Sequence, residues 1–351
     1  MRSLLLVVVA CGVSVIVAAP SGRAQAPAVG PGGAGGIVGR ETPALHHIHL
    51  NSANPAAAID AYVKAYPTNT RARALEQDGF KTSNGVVMLF TRTSAPPPVI
   101  GPDRPEAAQT AFWHHVWNVP DVRATLATFR RTVPGFRLIP QYLDPDGTTG
   151  EFSSDGLAGF LTTAQLAAAK LRGGVPSRQG GYFNWYGPDG VVMETLQGAA
   201  EMYAIFGMFQ EQPVCALLWY ERHLNATLPA GSPAAGRTLE NCAVQRGEVS
   251  WPSTYRRGHV RVPPAMAVTF SDVSFRWYMN QSDQPLASTR GHIVDHFALA
   301  VRNVDEWTTR LRRDGVRILE EPRASNGARV VMIEGPSREA IELVQTGEVQ
   351  R

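Results

Sequence analysis

The sequence predicts an α+β protein built from four copies of one β-α-β-β-β unit, and three observations carry that reading. The first is a repeated spacing. Five residues after His114 stands Val119, seven after it Asp121, and the amphipathic segment VRATLATF follows; the same offsets fit His47 (Ser52, Asn54, PAAAIDAYV) and His296 (Val301, Asn303, VDEWTTRL). A fourth, degraded copy has Ile205 at the histidine position and Gln212-Pro213 ahead of VCALLWYERHL. The second is strict alternation in Leu45-His46-His47-Ile48-His49-Leu50, which sets His47, His49 and Asn51 on one strand face and His46, Ile48 and Leu50 on the other. The third is the recurrence of VVM in NGVVMLFTR and GPDGVVMETLQ, which aligns Glu194 with Leu89.

Residues 1–26 read as a secretory signal, with Arg2, an apolar run from Leu4 to Ala19 and Ala24-Gln25-Ala26 as the cleavage site. The run is short for the roughly 20 residues that span a bilayer, so an exported chain, periplasmic or extracellular, is expected. The formal charge of +3 falls to near +1 once Arg2 and Arg23 leave, and no run of five or more basic residues remains, which excludes nucleic acid as an expected partner. Cys215 and Cys242 are then the remaining thiols of the chain's 3 cysteines. Export permits a disulfide between them, but Cys215 falls in an expected helix where it could equally be a buried thiol, so the pairing stays open. Residues 27–43 are Gly- and Pro-rich and are expected to be a flexible leader.

In the first copy (44–104), Asn54 is placed to cap a helix with Pro55 at its first position. Strands are expected near 71–76, 79–83 and 86–92, with Asn84-Gly85 as a hairpin turn. The second copy (111–199) opens with FWHHVWNVPD, continues with a helix from Asp121 to about Arg131 and a strand near 136–142, and closes with YFNWYGPDGVVMETLQ. An insertion from Asp144 to Gln179, with helical composition at TAQLAAAKL, is of a kind that can cover a site. The third copy (200–287) has a clear helix but an irregular middle. The fourth (290–348) is regular, with Phe297, Leu299 and Val301 facing the helix layer, His296 on the opposite face, and Glu342 aligned with Glu194.

With a histidine on the first strand, a GPDG turn and a closing strand that carries Glu, the chain resembles the vicinal oxygen chelate superfamily, which includes glyoxalase I, extradiol dioxygenases and bleomycin resistance proteins. The resemblance covers residues 44–348, weakly in the third copy. It implies that two modules pair into an open half-barrel whose concave face holds a divalent metal. Pairing in chain order would give domains at 44–199 and 200–351, and would bring together His47, His114 and Glu194 as metal ligands. That set matches a two-histidine, one-carboxylate Fe(II) triad, with Mn, Zn or Ni as other possible ions. The second domain would keep His296 and Glu342, lack a third ligand at Ile205, and serve as structure or as a substrate wall. The repeat offsets leave the pairing itself open, because a two-with-three pairing would separate His47 from His114.

His49, His115 and Tyr182 stand as candidate catalytic residues. His49 shares the face of His47, His115 is the register alternative to His114, and Tyr182 leads into the Glu194 hairpin. Export disfavours chemistry that needs cytosolic thiols or CoA esters. Among the activities the resemblance implies, this leaves extradiol-type ring cleavage of a small substrate by elimination. A non-catalytic small-molecule binding protein of the bleomycin-resistance type is the alternative, and a glyoxalase-like lyase the next.

Overall fold

The computed structural model describes residues 41–95, 109–138, 171, 181–244, 250–251, 259–260, 268–280 and 284–346. The expected signal segment, most of the leader and, apart from Leu171, the insertion at 144–179 lie outside the described residues. The first module is β1 (Ala44–Ser52), α1 (Pro55–Ala65), β2 (Thr70–Ala74), β3 (Gln77–Lys81) and β4 (Val87–Arg92). The second is β5 (Phe112–Val119), α2 (Val122–Thr132), β6 (Tyr182–Tyr186) and β7 (Val192–Gln197). Of its strand expected near 136–142, Leu138 forms a single bridge to Trp185, and residues 139–142 lie outside the described set. The third comprises β8 (Met202–Gln210), α3 (Pro213–Leu224), the short pair β9 (Ser250–Trp251) and β10 (His259–Val260), β11 (Val268–Phe270) and β12 (Val273–Met279). The fourth is β13 (Val294–Val301), α4 (Val304–Arg313), β14 (Ile318–Ser325), β15 (Ala328–Glu334) and β16 (Ala340–Gln345).

The helices start where their caps dictate. Asn54 Oδ1 accepts from Ala57 N at 3.3 Å, Asp121 Oδ1 from Ala124 N at 2.9 Å, and Asn303 Oδ1 from both Asp305 N and Glu306 N. Each cap satisfies amide donors that the first turn leaves without an intrahelical partner. Gln212 heads α3 without such a side-chain bond, as befits the degraded copy. Cys215 and Cys242 are joined by a disulfide that ties α3 to the segment after it.

The modules do not pair in chain order. The eight-stranded sheet runs β14-β15-β16-β13-β1-β4-β3-β2 and joins modules four and one through antiparallel β1 and β13; the six-stranded sheet runs β11-β12-β8-β5-β7-β6 and joins modules three and two through β5 and β8. Connection length accounts for this. Between β7 and β8 the chain has only residues 198–201, enough to cross back over β5 and lie against its free edge. Modules one and two are separated by residues 93–111, and modules three and four by residues 280–293. These longer links let the chain leave one sheet and return to it later.

The two sheets share one core on their helix-bearing faces. Tyr66, the residue that caps the C-terminus of α1, stacks on Trp117 of β5 with ring centroids 4.7 Å apart, and its hydroxyl bonds Thr195 Oγ1 of β7 at 2.8 Å. Phe297 of β13 meets Phe112, Phe206 and Phe275 of the other sheet. Aromatic pairs of this kind contribute about 0.5–1.5 kcal/mol each beyond the area they bury. Glu339, fully buried ahead of β16, accepts from Gln210 Nε2, Tyr220 Oη and Ser337 N at 3.1, 2.8 and 2.7 Å, which pins modules three and four together. With the helix faces spent on this core, the opposite face of each sheet is left to carry the polar residues.

Candidate metal centre

On the open face of the eight-stranded sheet, cross-strand register builds two rows. One runs Glu342, Ala298, His47 across β16, β13 and β1; the next runs Ala340, His296, His49, Leu89 across β16, β13, β1 and β4. Ala298 leaves the middle of the first row low, so His47 and Glu342 lean over it. His47 Nε2 lies 3.7 Å and His296 Nε2 3.8 Å from the same oxygen, Glu342 Oε2. The ligand-capable nitrogens of His47, His49 and His296 all lie within 4.8 Å of one another, the one such group of three found among the described residues. They stand in a pocket of about 240 Å³ whose other walls include Asn51, Gln77, Thr91, Arg290, Arg323 and Asn326.

Each imidazole is oriented by a partner at its other nitrogen. Asp295 Oδ1 lies 2.6 Å from His296 Nδ1, and His46 Nδ1 lies 2.8 Å from His47 Nδ1. Both Nε2 atoms are thereby turned towards Glu342. Asp295 is itself held by Gly291 N at 2.6 Å and by the Arg290 guanidinium, which also reaches Glu320. His49 stacks on His296 with centroids 4.6 Å apart, and its Nε2 bonds Thr91 Oγ1 at 2.9 Å.

The electrostatics suit a cation. Burial, followed by the neighbouring His296, His46 and His49, holds His47 well below the ordinary imidazole range, and burial followed by His296 holds His49 down at about 3. Burial thus favours the neutral imidazole, with its lone pair, at both positions. Burial raises the Glu342 carboxyl, with His296 opposing the rise, so its ionised form gains from an adjacent positive charge. Donor atoms bound to one divalent ion at about 2.0–2.2 Å stand roughly 3 Å apart. The two distances to Glu342 Oε2, 3.7 and 3.8 Å, would each need to close by less than about 1 Å to meet that spacing. The donor set fits a divalent metal.

The open face of the six-stranded sheet holds the other expected ligands. His114 Nε2 lies 3.8 Å from Glu194 Oε2, but their sheet does not contain His47, so the expected set of His47, His114 and Glu194 is not brought together. Ile205 and Arg276 complete this face where the other sheet has His47 and Leu89. Neither is a metal ligand. His115 turns to the helix side, stacked on Phe206 at 5.1 Å with its Nδ1 2.9 Å from Tyr203 Oη, and so reaches neither open face. Tyr182, in β6, is buried two residues before Asn184, the register partner of Glu194; it belongs with the Glu194 face and not with the histidine cluster. His49 is the expected catalytic candidate that stands beside His47, His296 and Glu342.

His296 and Glu342 were identified by the repeat offsets but assigned to a face with no third ligand. The four-residue link between β7 and β8, against much longer links elsewhere, was the available signal for the pairing that unites them with His47.

Residues 211–343 match the model of the Glyoxalase/Bleomycin resistance protein/Dioxygenase superfamily. Among solved structures, the chain is similar to a glyoxalase I point mutant from Zea mays, 13% identical, with 86% of this chain and 92% of that chain covered at a TM-score of 0.53. A second Zea mays glyoxalase I mutant is 11% identical, with 87% and 94% covered at a TM-score of 0.50. At such identity the likeness is one of fold. No curated protein matches the chain by sequence. Residues 211–343 thus carry the match to the Glyoxalase/Bleomycin resistance protein/Dioxygenase superfamily, and the chain as a whole shares the fold of the glyoxalase I structures.

Proposed function

We propose that the open face of the eight-stranded sheet is a mononuclear divalent-metal centre held by His47, His296 and Glu342, in an exported enzyme that binds a small polar substrate through two neighbouring oxygens. The observation that carries this reading is the convergence of both imidazole Nε2 atoms on one Glu342 oxygen, at 3.7 and 3.8 Å, in the floor of a polar pocket. Two histidines and a carboxylate leave coordination positions for substrate, and Fe(II) is the favoured ion for such a triad, with Mn, Zn and Ni as the other choices. A divalent ion bound there supplies Lewis acidity to the chelated oxygens.

The chain's own residues would do the rest. Asp295 fixes the His296 tautomer by accepting from Nδ1–H, and Arg290 fixes Asp295. His49, neutral and stacked on His296, is placed to take a proton from a carbon next to the chelated oxygens and return it, with Thr91 holding its Nε2. Leu75 and Met332 are the apolar side chains of a lining otherwise made of polar and charged groups. That balance favours a small polar substrate and Lewis-acid proton transfer over ring cleavage of an aromatic diol, which the export argument alone favoured.

Metal content tests this. Protein prepared with Fe(II), Mn(II) and Zn(II) should hold about one equivalent per chain, and His296→Ala or Glu342→Ala should lower that at least tenfold, while His114→Ala and Glu194→Ala leave it unchanged. Retention of metal by His296→Ala with loss from His114→Ala would overturn the assignment. Oxygen uptake with catechols by the loaded protein would return the reading to ring cleavage.

A further inference from the structure

The open face of the six-stranded sheet holds polar groups that the metal centre does not use. Arg276 of β12 is in register with Gly207 of β8, and Gly207 with His114 of β5. The glycine is required. A Cβ at position 207 would stand 2.1 Å from His114 Cε1 and 2.3 Å from Nδ1, so the imidazole lies directly over the β8 backbone that separates it from Arg276. Two buried nitrogens here have no hydrogen-bond partner among the described residues, His114 Nδ1 and Arg276 Nε. His114 is only 2% exposed, and leaving such groups unpaired is costly. A β-bulge between Phe112 and His114 puts Trp113 out of register. Its indole stacks on Phe209 at 5.0 Å and meets Tyr278 edge-on at 4.8 Å.

We propose that this face is a metal-independent binding site for a small aromatic carboxylate, its carboxylate between Arg276 and His114 and its ring against Trp113 and Tyr278. A guanidinium presents a planar fork that matches a carboxylate, and an imidazole N–H donor on the opposite side would complete the cradle. Glu194 lies on the far side of His114 from Arg276 in the strand order β12-β8-β5-β7, so the imidazole stands between it and the bound anion. The aromatic wall supplies stacking area for a flat ring, which the polar pocket of the metal centre does not.

Isothermal titration of the full chain with benzoate, and with the neutral benzamide as control, tests the site. Benzoate should bind saturably and benzamide about tenfold or more weakly, the loss expected when one charge-assisted hydrogen-bonding partner is removed. Arg276→Met should lose about tenfold or more in benzoate affinity, Arg276→Lys should fall between, and His296→Ala should bind benzoate as the unmodified chain does. Absence of benzoate binding, equal binding of benzamide, or loss of binding together with the metal in His296→Ala would each overturn the proposal. The benzamide comparison needs no variant and holds even if Arg276→Met fails to fold.

Discussion

The two open faces are the same framework with different chemistry. Glu342, Ala298 and His47 on one sheet correspond to Glu194, Val116 and Ile205 on the other, and Ala340, His296, His49 and Leu89 correspond to Val192, His114, Gly207 and Arg276. One histidine and one carboxylate are common to both, with nearly the same separation, 3.8 Å in each. The difference lies in the remaining positions. The first face adds a second imidazole at His47 and an apolar residue at Leu89; the second adds an apolar residue at Ile205 and a permanent cation at Arg276. A guanidinium beside the shared pair opposes a metal ion by charge alone, and it helps burial and His115 hold His114 down at about 3. On the proposed reading a shared histidine and carboxylate do not make a metal site, and the third donor and the charge at the fourth position decide it.

Exchanging those positions gives the largest expected effect. Ile205→His with Arg276→Leu should recreate the first face's donor set on the second sheet and raise metal content from about one towards two equivalents per chain, read by elemental analysis. Content that stays at one in a folded variant would mean that the correspondence between the faces is not what limits metal binding. A smaller effect is expected from Asp295→Ala, which removes the partner of His296 Nδ1 but no ligand. Metal affinity should fall by about 10- to 100-fold, measured by competition with a chelator. His114, whose Nδ1 has no such carboxylate partner among the described residues, shows by contrast what an unsupported imidazole looks like.

The smallest effect concerns acid stability, and it separates the two histidines at the head of β5. Burial holds His115 at about 3, below its ordinary 6.5. Its contribution to stability is therefore fully present above pH 6.5 and is lost as pH falls from there towards 3. His115→Phe keeps a ring against Phe206 while removing the titrating group. The variant's urea midpoint should decline less than that of the unmodified chain between pH 6.5 and 4.5, with metal content unchanged. An identical decline in both would show that His115 does not carry this share of the acid sensitivity.

Much of this was legible residue by residue. The Asn54, Asp121 and Asn303 caps were readable because a cap depends on a few neighbouring atoms. The faces of β1 and β13 followed from alternation, and His47, His49, His296 and Glu342 all carried their positions in the repeat. The direction of His115 followed from keeping Val119 towards the helices. What could not be read was which histidine meets which carboxylate. His47 and Glu342 lie 3.7 Å apart although almost the whole fold separates them in the chain, and no local propensity reports on such a contact.

The sequence by itself determined four modules, their caps, the inward and outward faces of each first strand, and the donor types available to a metal. The tertiary structure alone decided that module one closes against module four and module two against module three. Each βαβββ unit presents a first strand that can pair edge to edge, and connection length separates the choices: residues 198–201 are too few to carry the chain away from β5, and the longer links leave β1 free until β13 arrives.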